Sequence, residues 1–166
     1  MTAGPITMSD LQSICVLHSY INTLGWFLKV LYRCNQTYKY WIEKKTIIGS
    51  HIRLGKQNVQ NILFDDLGLK LDQVSGANDK GGTSNDGNQA RRFFSKTSVE
   101  SIIKCVAPKY KDTIRELHCN ISVLLRVISC TSQVDIAKMN NLATETSLLI
   151  AENLKWVSIN YTLHGL

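Results

Sequence analysis

The chain has 166 residues, a net charge of +6 and a hydrophobic content of 44%. This length accommodates about one domain with a substantial core, and the hydrophobic content is too high for a disordered protein. No apolar run reaches the roughly 18–20 residues that cross a bilayer, so we expect a soluble domain without a membrane segment. Residues 1–10 lack the basic start and apolar block of a secretory signal.

The first predicted helix begins near Ser9, where Ser9 and Gln12 match a capping box. It runs to about Arg33, because apolar residues recur along it at three- and four-residue steps. Gly25 either weakens this helix by about 1 kcal/mol relative to alanine or admits a closely packed second helix.

A second helical region is predicted over residues 38–67. We expect Gly49 and Gly55 to break or bend it. Gly68 follows its last periodic residue and is expected to cap it, because glycine adopts the left-handed conformation without strain.

Residues 74–87 are almost purely loop-forming, and a short helix is predicted over 88–95. Its spacing directs Ala90, Phe93 and Phe94 inward. The loop therefore separates an N-terminal from a C-terminal helical part.

Three further helices are predicted after this short one. Thr97 and Glu100 match a capping box that starts a helix ending before Pro108. A clean amphipathic helix follows, and Asp135 opens the last long one. The amphipathic helix is marked by Ile114, Leu117, Ile121, Leu124 and Ile128, and the face of the last by Ile136, Met139, Ala143, Thr146, Leu149 and Ile150.

No alternating strand pattern stands out, so the predicted fold class is all-α, an antiparallel multi-helix bundle. Residues 1–72 form an N-terminal helical hairpin in this prediction. A Gly/Asn/Ser-rich loop over 73–87 joins it to a C-terminal helical bundle over 88–166, and we expect one compact unit overall.

Cysteine usage indicates a reducing compartment. The number of cysteines is odd and none form a Cys-x-x-Cys pair, which argues against a disulfide framework and a zinc knuckle. Most lie among apolar residues, where reduced cysteine behaves as a small core residue. We therefore expect a nuclear or cytoplasmic location. The cysteines are Cys15, Cys34, Cys105, Cys119 and Cys130.

The spacings that commonly build an active site do not occur in the sequence. The histidines are scattered without a His-x-x-x-His pair, and neither Gly-x-Ser-x-Gly nor the Walker pattern is present. Asp65 and Asp66 are neighbours on a predicted helix, so their side chains diverge and do not easily share a metal. We therefore predict no catalytic residue and no cofactor.

Positive charge concentrates in the middle of the chain, where residues 80–111 hold seven basic and two acidic residues. Such a patch attracts phosphate backbones, and arginine forks bind phosphate through two hydrogen bonds. The competing interpretation is an ordinary solvated surface, with arginines that pair with carboxylates. The candidates for nucleic-acid binding are Asn85, Asn88, Arg91, Arg92, Lys80 and Lys96.

The stretch from Gly82 to Phe94 reads Gly-Thr-Ser-Asn-Asp-Gly-Asn-Gln-Ala-Arg-Arg-Phe-Phe. It resembles a signature of uncharacterised, transposon-derived animal proteins. More remotely, it resembles the Asn-Gly-Asn-x-Ala-Arg-Lys stretch of the V(D)J recombination-activating recombinase and the Transib transposases. Shorter matches follow in the same order between residues 11 and 165, namely Leu17-His18, Asp66-Leu67-Gly68-Leu69 with Asp72, and Leu163-His164-Gly165.

The resemblance implies an RNase H-like recombinase in which three acidic residues and a divalent metal cut and join DNA. In that family a helical insertion separates the second acid from the third. This chain resembles the insertion, so the acids would lie outside it. The family also holds a zinc with two cysteines and two histidines. His164 matches the second histidine, but Ile159 stands where the first is expected, and a hydrocarbon cannot replace imidazole.

We therefore expect a non-catalytic helical domain of a transposase- or recombinase-like protein, as a fragment or a domesticated remnant, that contacts or positions DNA. The expected protein partners are a second copy or other recombinase-like chains. The alternative is a helical protein–protein interaction module with no nucleic-acid role. A third interpretation, a subunit of an active recombinase, needs acids supplied by another chain.

Overall fold

A computed structural model describes residues 16–35, 45–72 and 85–157, with side chains from residue 53 onward in the second range. Within these ranges the chain forms six α-helices and no strand, which confirms the all-α prediction. The helices are α1 Val16–Cys34, α2 Lys45–Leu67, α3 Gly87–Phe93, α4 Val99–Lys104, α5 Lys111–Ile128 and α6 Ile136–Asn153, with short 3₁₀ turns at Lys96–Ser98 and Pro108–Tyr110.

Some predictions concern residues outside the described ranges. These are the capping box of Ser9 and Gln12, the loop that carries Lys80, and the segment that carries Ile159 and His164.

α1 lies at the centre of the core and packs against α2, α3 and α5. Its three- and four-residue apolar spacing places Leu24, Phe27, Leu28 and Leu31 fully out of contact with solvent. A single buried cluster joins these residues to apolar side chains of α2, of residues 69–71 and of residues 90–154. The described residues on either side of the predicted loop therefore share one core.

The prediction that Gly49 and Gly55 break the second helix is wrong, because α2 is continuous from Lys45 to Leu67. A glycine lowers the stability of a helix by about 1 kcal/mol relative to alanine. Burial of two apolar side chains stabilises the helix by more than this. Val59 and Leu63 lie on α2 and are completely buried. Tertiary packing thus holds the helix through both glycines.

The predicted cap at Gly68 is confirmed. Gly68 has a φ of +65°, and its N–H donates to the Phe64 carbonyl at 2.8 Å. Only glycine adopts this conformation without strain, so the helix ends here and the chain reverses direction. The next residues return to the core, where Leu69 and Leu71 are each 1% exposed.

The predicted capping box of Thr97 and Glu100 is wrong. No side-chain cap bond is found at the start of either the 3₁₀ turn Lys96–Ser98 or α4. Glu100 instead pairs with Arg115 on α5, and the buried Ser98 hydroxyl donates to the Phe93 carbonyl. The prediction that this helix ends before Pro108 holds.

The last two helices form a pair. α5 buries Ile114, Leu117, Ile121 and Leu124, as its spacing predicts. Asp135 caps α6, because its carboxylate accepts the Lys138 N–H at 3.1 Å. The predicted face of α6 is covered in part: Thr146 and Ile150 are buried, whereas Ile136 is 53% exposed. The reason is that α6 packs mainly against α5, which covers one side of it.

Across 16–35, 45–72 and 85–157, no helix is both long enough and apolar enough to cross a membrane.

Two glycines offer opposite stability tests. A methyl group added at Gly25 meets no described atom within 4 Å, so Gly25→Ala is expected to raise the free energy of unfolding by about 0.5–1 kcal/mol. Gly68→Ala is expected to lower it by about 1–2 kcal/mol, because alanine is strained at a positive φ. Urea denaturation of both variants measures the difference. Equal effects of the two substitutions would contradict the assignment of Gly68 as the cap.

Candidate nucleic-acid interface

Three side chains between residues 85 and 92 hydrogen-bond the end of α2 and the residues that follow it. Asn85 Oδ1 accepts the Asp72 N–H at 2.8 Å, and Gln89 Oε1 accepts the Lys70 N–H at 2.7 Å. A third side chain, Arg92, donates from Nη2 to the carbonyl of Leu67. We call these three side chains and the segment 67–72 the clasp. It satisfies backbone groups that the reversal after Gly68 leaves without helical partners.

Asn85 and Asp72 bond each other twice. Besides the bond to the Asp72 N–H, Asn85 Nδ2 donates to Asp72 Oδ1 at 2.7 Å. The other carboxylate oxygen accepts the Tyr32 hydroxyl at 2.7 Å, and burial together with this carboxylate raises the pKa of Tyr32. Asp72 has a φ of +50°, a region that aspartate tolerates better than most residues. The amide of Asn85 therefore holds a turn in place.

Arg92 stabilises the C terminus of α2. The last carbonyls of a helix lack partners within it, and a cation is favourable at that end of the helix dipole. The guanidinium of Arg92 supplies both a donor and a positive charge at the Leu67 carbonyl. One N–H of Arg92 is thus committed within the protein, while the side chain stays exposed to solvent.

Arg91 has a different environment. Its guanidinium carbon lies 5.7 Å from the centre of the Tyr20 ring, and the residue is exposed. A cation–π contact of this kind leaves the N–H groups of a guanidinium able to donate to other acceptors. Helical spacing separates the two sides of α3, because Ala90 and Phe93 are completely buried while both arginines face solvent. The prediction that Phe93 and Phe94 face inward is confirmed.

An open cleft of about 310 Å³ lies between the end of α2 and the turn that follows α3. Among the described residues, its lining includes two arginines, a serine and a threonine, and no acidic residue. The Ser95 hydroxyl donates to the Arg92 carbonyl at 2.7 Å and lies 3.0 Å from the Thr97 hydroxyl. The Ser95 hydrogen is thus committed to the Arg92 carbonyl, so the arginine N–H groups are the donors here that suit an anionic oxygen group. The lining residues are Leu67, Arg91, Arg92, Ser95 and Thr97.

The predicted site residues are therefore brought together in part. Arg91 and Arg92 line the cleft, and Lys96 is exposed between its two hydroxyl residues. Asn88 is exposed on the first turn of α3, whereas Asn85 belongs to the clasp. Lys80 lies outside the described residues. Sequence reasoning missed Ser95 and Thr97, since isolated hydroxyl residues have no distinctive pattern.

One carboxyl group and two thiol groups outside the cleft have environments that limit their chemistry. The Lys104 ammonium lies 2.7 Å from Asp66 Oδ2 and lowers the pKa of that carboxyl. Burial raises the pKa of Cys34 and of Cys105 to about 12, so both thiols stay protonated at neutral pH. The expected core environment is found for Cys34 and Cys105, whereas Cys119 and Cys130 are exposed and Cys15 lies outside the described residues. No group of three His, Cys, Asp or Glu side chains in the described part of the chain could hold a metal.

Comparison of the chain with protein-family models finds no match, and no curated protein is similar enough to count as a relative.

A charge exchange tests the clasp. Asn85→Asp replaces a donor with a second carboxylate beside Asp72, and we expect the free energy of unfolding to fall by about 1–3 kcal/mol. The exchange variant Asp72→Asn/Asn85→Asp again sets an amide against a carboxylate and is expected to recover much of this loss. The wild type, Asp72→Asn, Asn85→Asp and the exchange variant form a double-mutant cycle. Thermal and urea denaturation measure the stability of each protein. If the exchange variant is no more stable than Asn85→Asp, the two side chains do not act as a pair.

Proposed function

We propose that this chain is a non-catalytic helical domain of a transposase- or recombinase-like protein and that it contacts DNA through the phosphate backbone. The observation that carries the proposal is the cleft beside α3, with Arg91 and Arg92 on its wall and the Ser95 and Thr97 hydroxyls at its rim. Phosphate oxygens accept hydrogen bonds from guanidinium N–H groups.

The two arginines have separate roles in this proposal. Arg92 holds the end of α2 through the Leu67 carbonyl, so it shapes the wall of the cleft. Arg91 rests on the Tyr20 ring and presents its edges to the phosphate. The neighbouring Lys96 is exposed and adds a second mobile charge.

The distribution of charge supports this location. Residues 80–111 hold seven basic and two acidic residues. Lys104, inside this range, pairs with Asp66. Arg115, just beyond it, pairs with Glu100. The cations beside the cleft therefore make up much of the local positive field.

The resemblance supports the remaining parts of the proposal. The acids that cut DNA in such recombinases would be contributed from outside this chain, and this domain would position the DNA for them. A nuclear location and partners that are a second copy or other recombinase-like chains follow from that role.

An affinity series tests the DNA contact. Arg91→Ala is expected to weaken binding to duplex DNA about tenfold and to lower the salt dependence by about one counterion, with the melting temperature unchanged. Arg92→Ala is expected to lower the melting temperature as well as the affinity, because it removes a bond of the clasp. Fluorescence anisotropy with a labelled duplex at several salt concentrations measures the affinity.

The matched control is Lys138→Ala, which removes the same charge from the first turn of α6. This variant is expected to bind like the wild type. The proposal is wrong if the wild type binds no DNA at low salt, or if Arg91→Ala and Lys138→Ala weaken binding equally.

A protein-interaction module is the second candidate. Leu54 and Phe64 on α2 are 62% and 46% exposed, which favours a protein partner for that helix. A stable dimer on size-exclusion chromatography with light scattering, abolished by Leu54→Ser/Phe64→Ser and accompanied by no DNA binding, would favour this candidate over the first.

A further inference from the structure

A histidine closes a cluster of aromatic rings beneath the two arginines. His118 on α5 is 1% exposed and stacks on Phe94, with ring centres 5.6 Å apart and an interplanar angle of 21°. The edges of Phe27 and Phe93 complete its surroundings at 5.9 and 5.8 Å. We call these four rings the aromatic box. It joins α1, the end of α3 and α5.

The hydrogen bonds of His118 suit a neutral ring. Its Nε2 lies 2.8 Å from the Phe93 carbonyl oxygen, and a carbonyl can only accept, so Nε2 carries the hydrogen. Nδ1 is then an unprotonated acceptor, and it is buried with no partner among the described residues. A second proton would therefore give the ring an N–H that has no acceptor, together with a positive charge in an apolar site.

In the part of the chain that the structure describes, no acidic side chain hydrogen-bonds the His118 ring. Arg91 on α3 stacks on the Tyr20 ring, and Arg92 bonds the Leu67 carbonyl. On α5 and α4, Arg115 and Glu100 bond each other.

Other ionisable groups of the surrounding helices also point elsewhere. Lys29 on α1 and Glu116 on α5 are exposed, and Lys104 on α4 bonds Asp66. Tyr20 on α1 lies edge-on to Phe94, with ring centres 6.4 Å apart. Burial accordingly lowers the pKa of His118, and the bond to Phe93 opposes the shift without cancelling it.

The aromatic box is continuous with the cleft. Phe93 and Phe94 follow Arg91 and Arg92 directly in the chain, and the Phe93 carbonyl accepts the hydrogen bond from His118.

We propose that protonation of the His118 ring expels it from the aromatic box and loosens the end of α3 that carries the two arginines. We call this role of His118 the fastener. Regulation of DNA contact by this step rests on the proposed function, whereas the loosening itself does not.

The direction of the pH effect follows from the lowered pKa of His118. The neutral His118 ring stabilises the folded protein fully above about pH 6.5, the ordinary pKa of histidine. This stabilisation is lost as the pH falls through the lower pKa that His118 has in the folded protein. Ion pairing lowers the pKa of the Asp66 and Glu100 carboxyls, so they lose their contributions only in more acidic solution. Acidification from about pH 7.5 to about pH 5 therefore reports mainly on histidine.

Hydrogen exchange tests the fastener directly. We expect the amides of residues 91–95 to lose protection in the wild type between about pH 7.5 and about pH 5, after correction for the intrinsic exchange rate. His118→Gln retains a donor for Phe93 and cannot take up the proton, so its protection should not change over this interval. His118→Phe should behave likewise, because the Ser98 hydroxyl still donates to the Phe93 carbonyl. His18→Gln removes an exposed histidine from α1 and should keep the wild-type response.

A pH titration of the wild-type protein tests the proposal even if the substituted proteins do not fold. The ring signals of His118 in NMR spectra should move at a pH below 6.5, together with the Phe93 and Phe94 amides. The proposal is overturned if these amides are insensitive to His118 titration, or if both His118 variants lose protection in acid as the wild type does.

DNA binding at the two pH values separates this proposal from the proposed function. Acid loosening that weakens DNA binding in the wild type, and not in His118→Gln, supports both. Loosening of residues 91–95 without any DNA binding at either pH supports the fastener and contradicts the proposed function.

Discussion

α3 contains seven residues, and a helix of two turns does not hold its shape in water without help from the rest of the protein. Two sets of contacts provide that help. On its inner side Ala90 and Phe93 enter the core. On its flank Arg92 bonds the last residue of α2, and Gln89 bonds the segment that follows it. The position of Arg91, and therefore of the cleft, depends on these contacts.

The signature stretch has a largely structural role in the fold. Asn85 and Gln89, which look like residues that bind a ligand, satisfy backbone groups of a turn that Gly68 starts. Amide side chains suit this task because each one offers a donor and an acceptor. Polar residues in a loop sequence can therefore serve the fold by satisfying backbone groups.

The buried polar atoms of the core differ in how many hydrogen-bond partners they have. The Phe93 carbonyl receives two donors, from His118 and Ser98, while His118 Nδ1 and Thr23 Oγ1 are buried without a partner among the described residues. Buried polar groups without a partner are costly, and a titratable one makes that cost depend on pH. This connects the packing of the aromatic box to the behaviour of the cationic surface above it.

Local patterns in the sequence determined the helices, the cap at Gly68, the cap at Asp135 and the inward direction of Phe93. Each depends on residues within one or two turns, where spacing and backbone preference act directly. Tertiary structure decided that α2 continues through Gly55, that Glu100 pairs with Arg115, and that Arg92 bonds a carbonyl 25 residues away. The physical reason is that these outcomes require two distant segments to meet, and the free energy gained there exceeds the local preference of either segment.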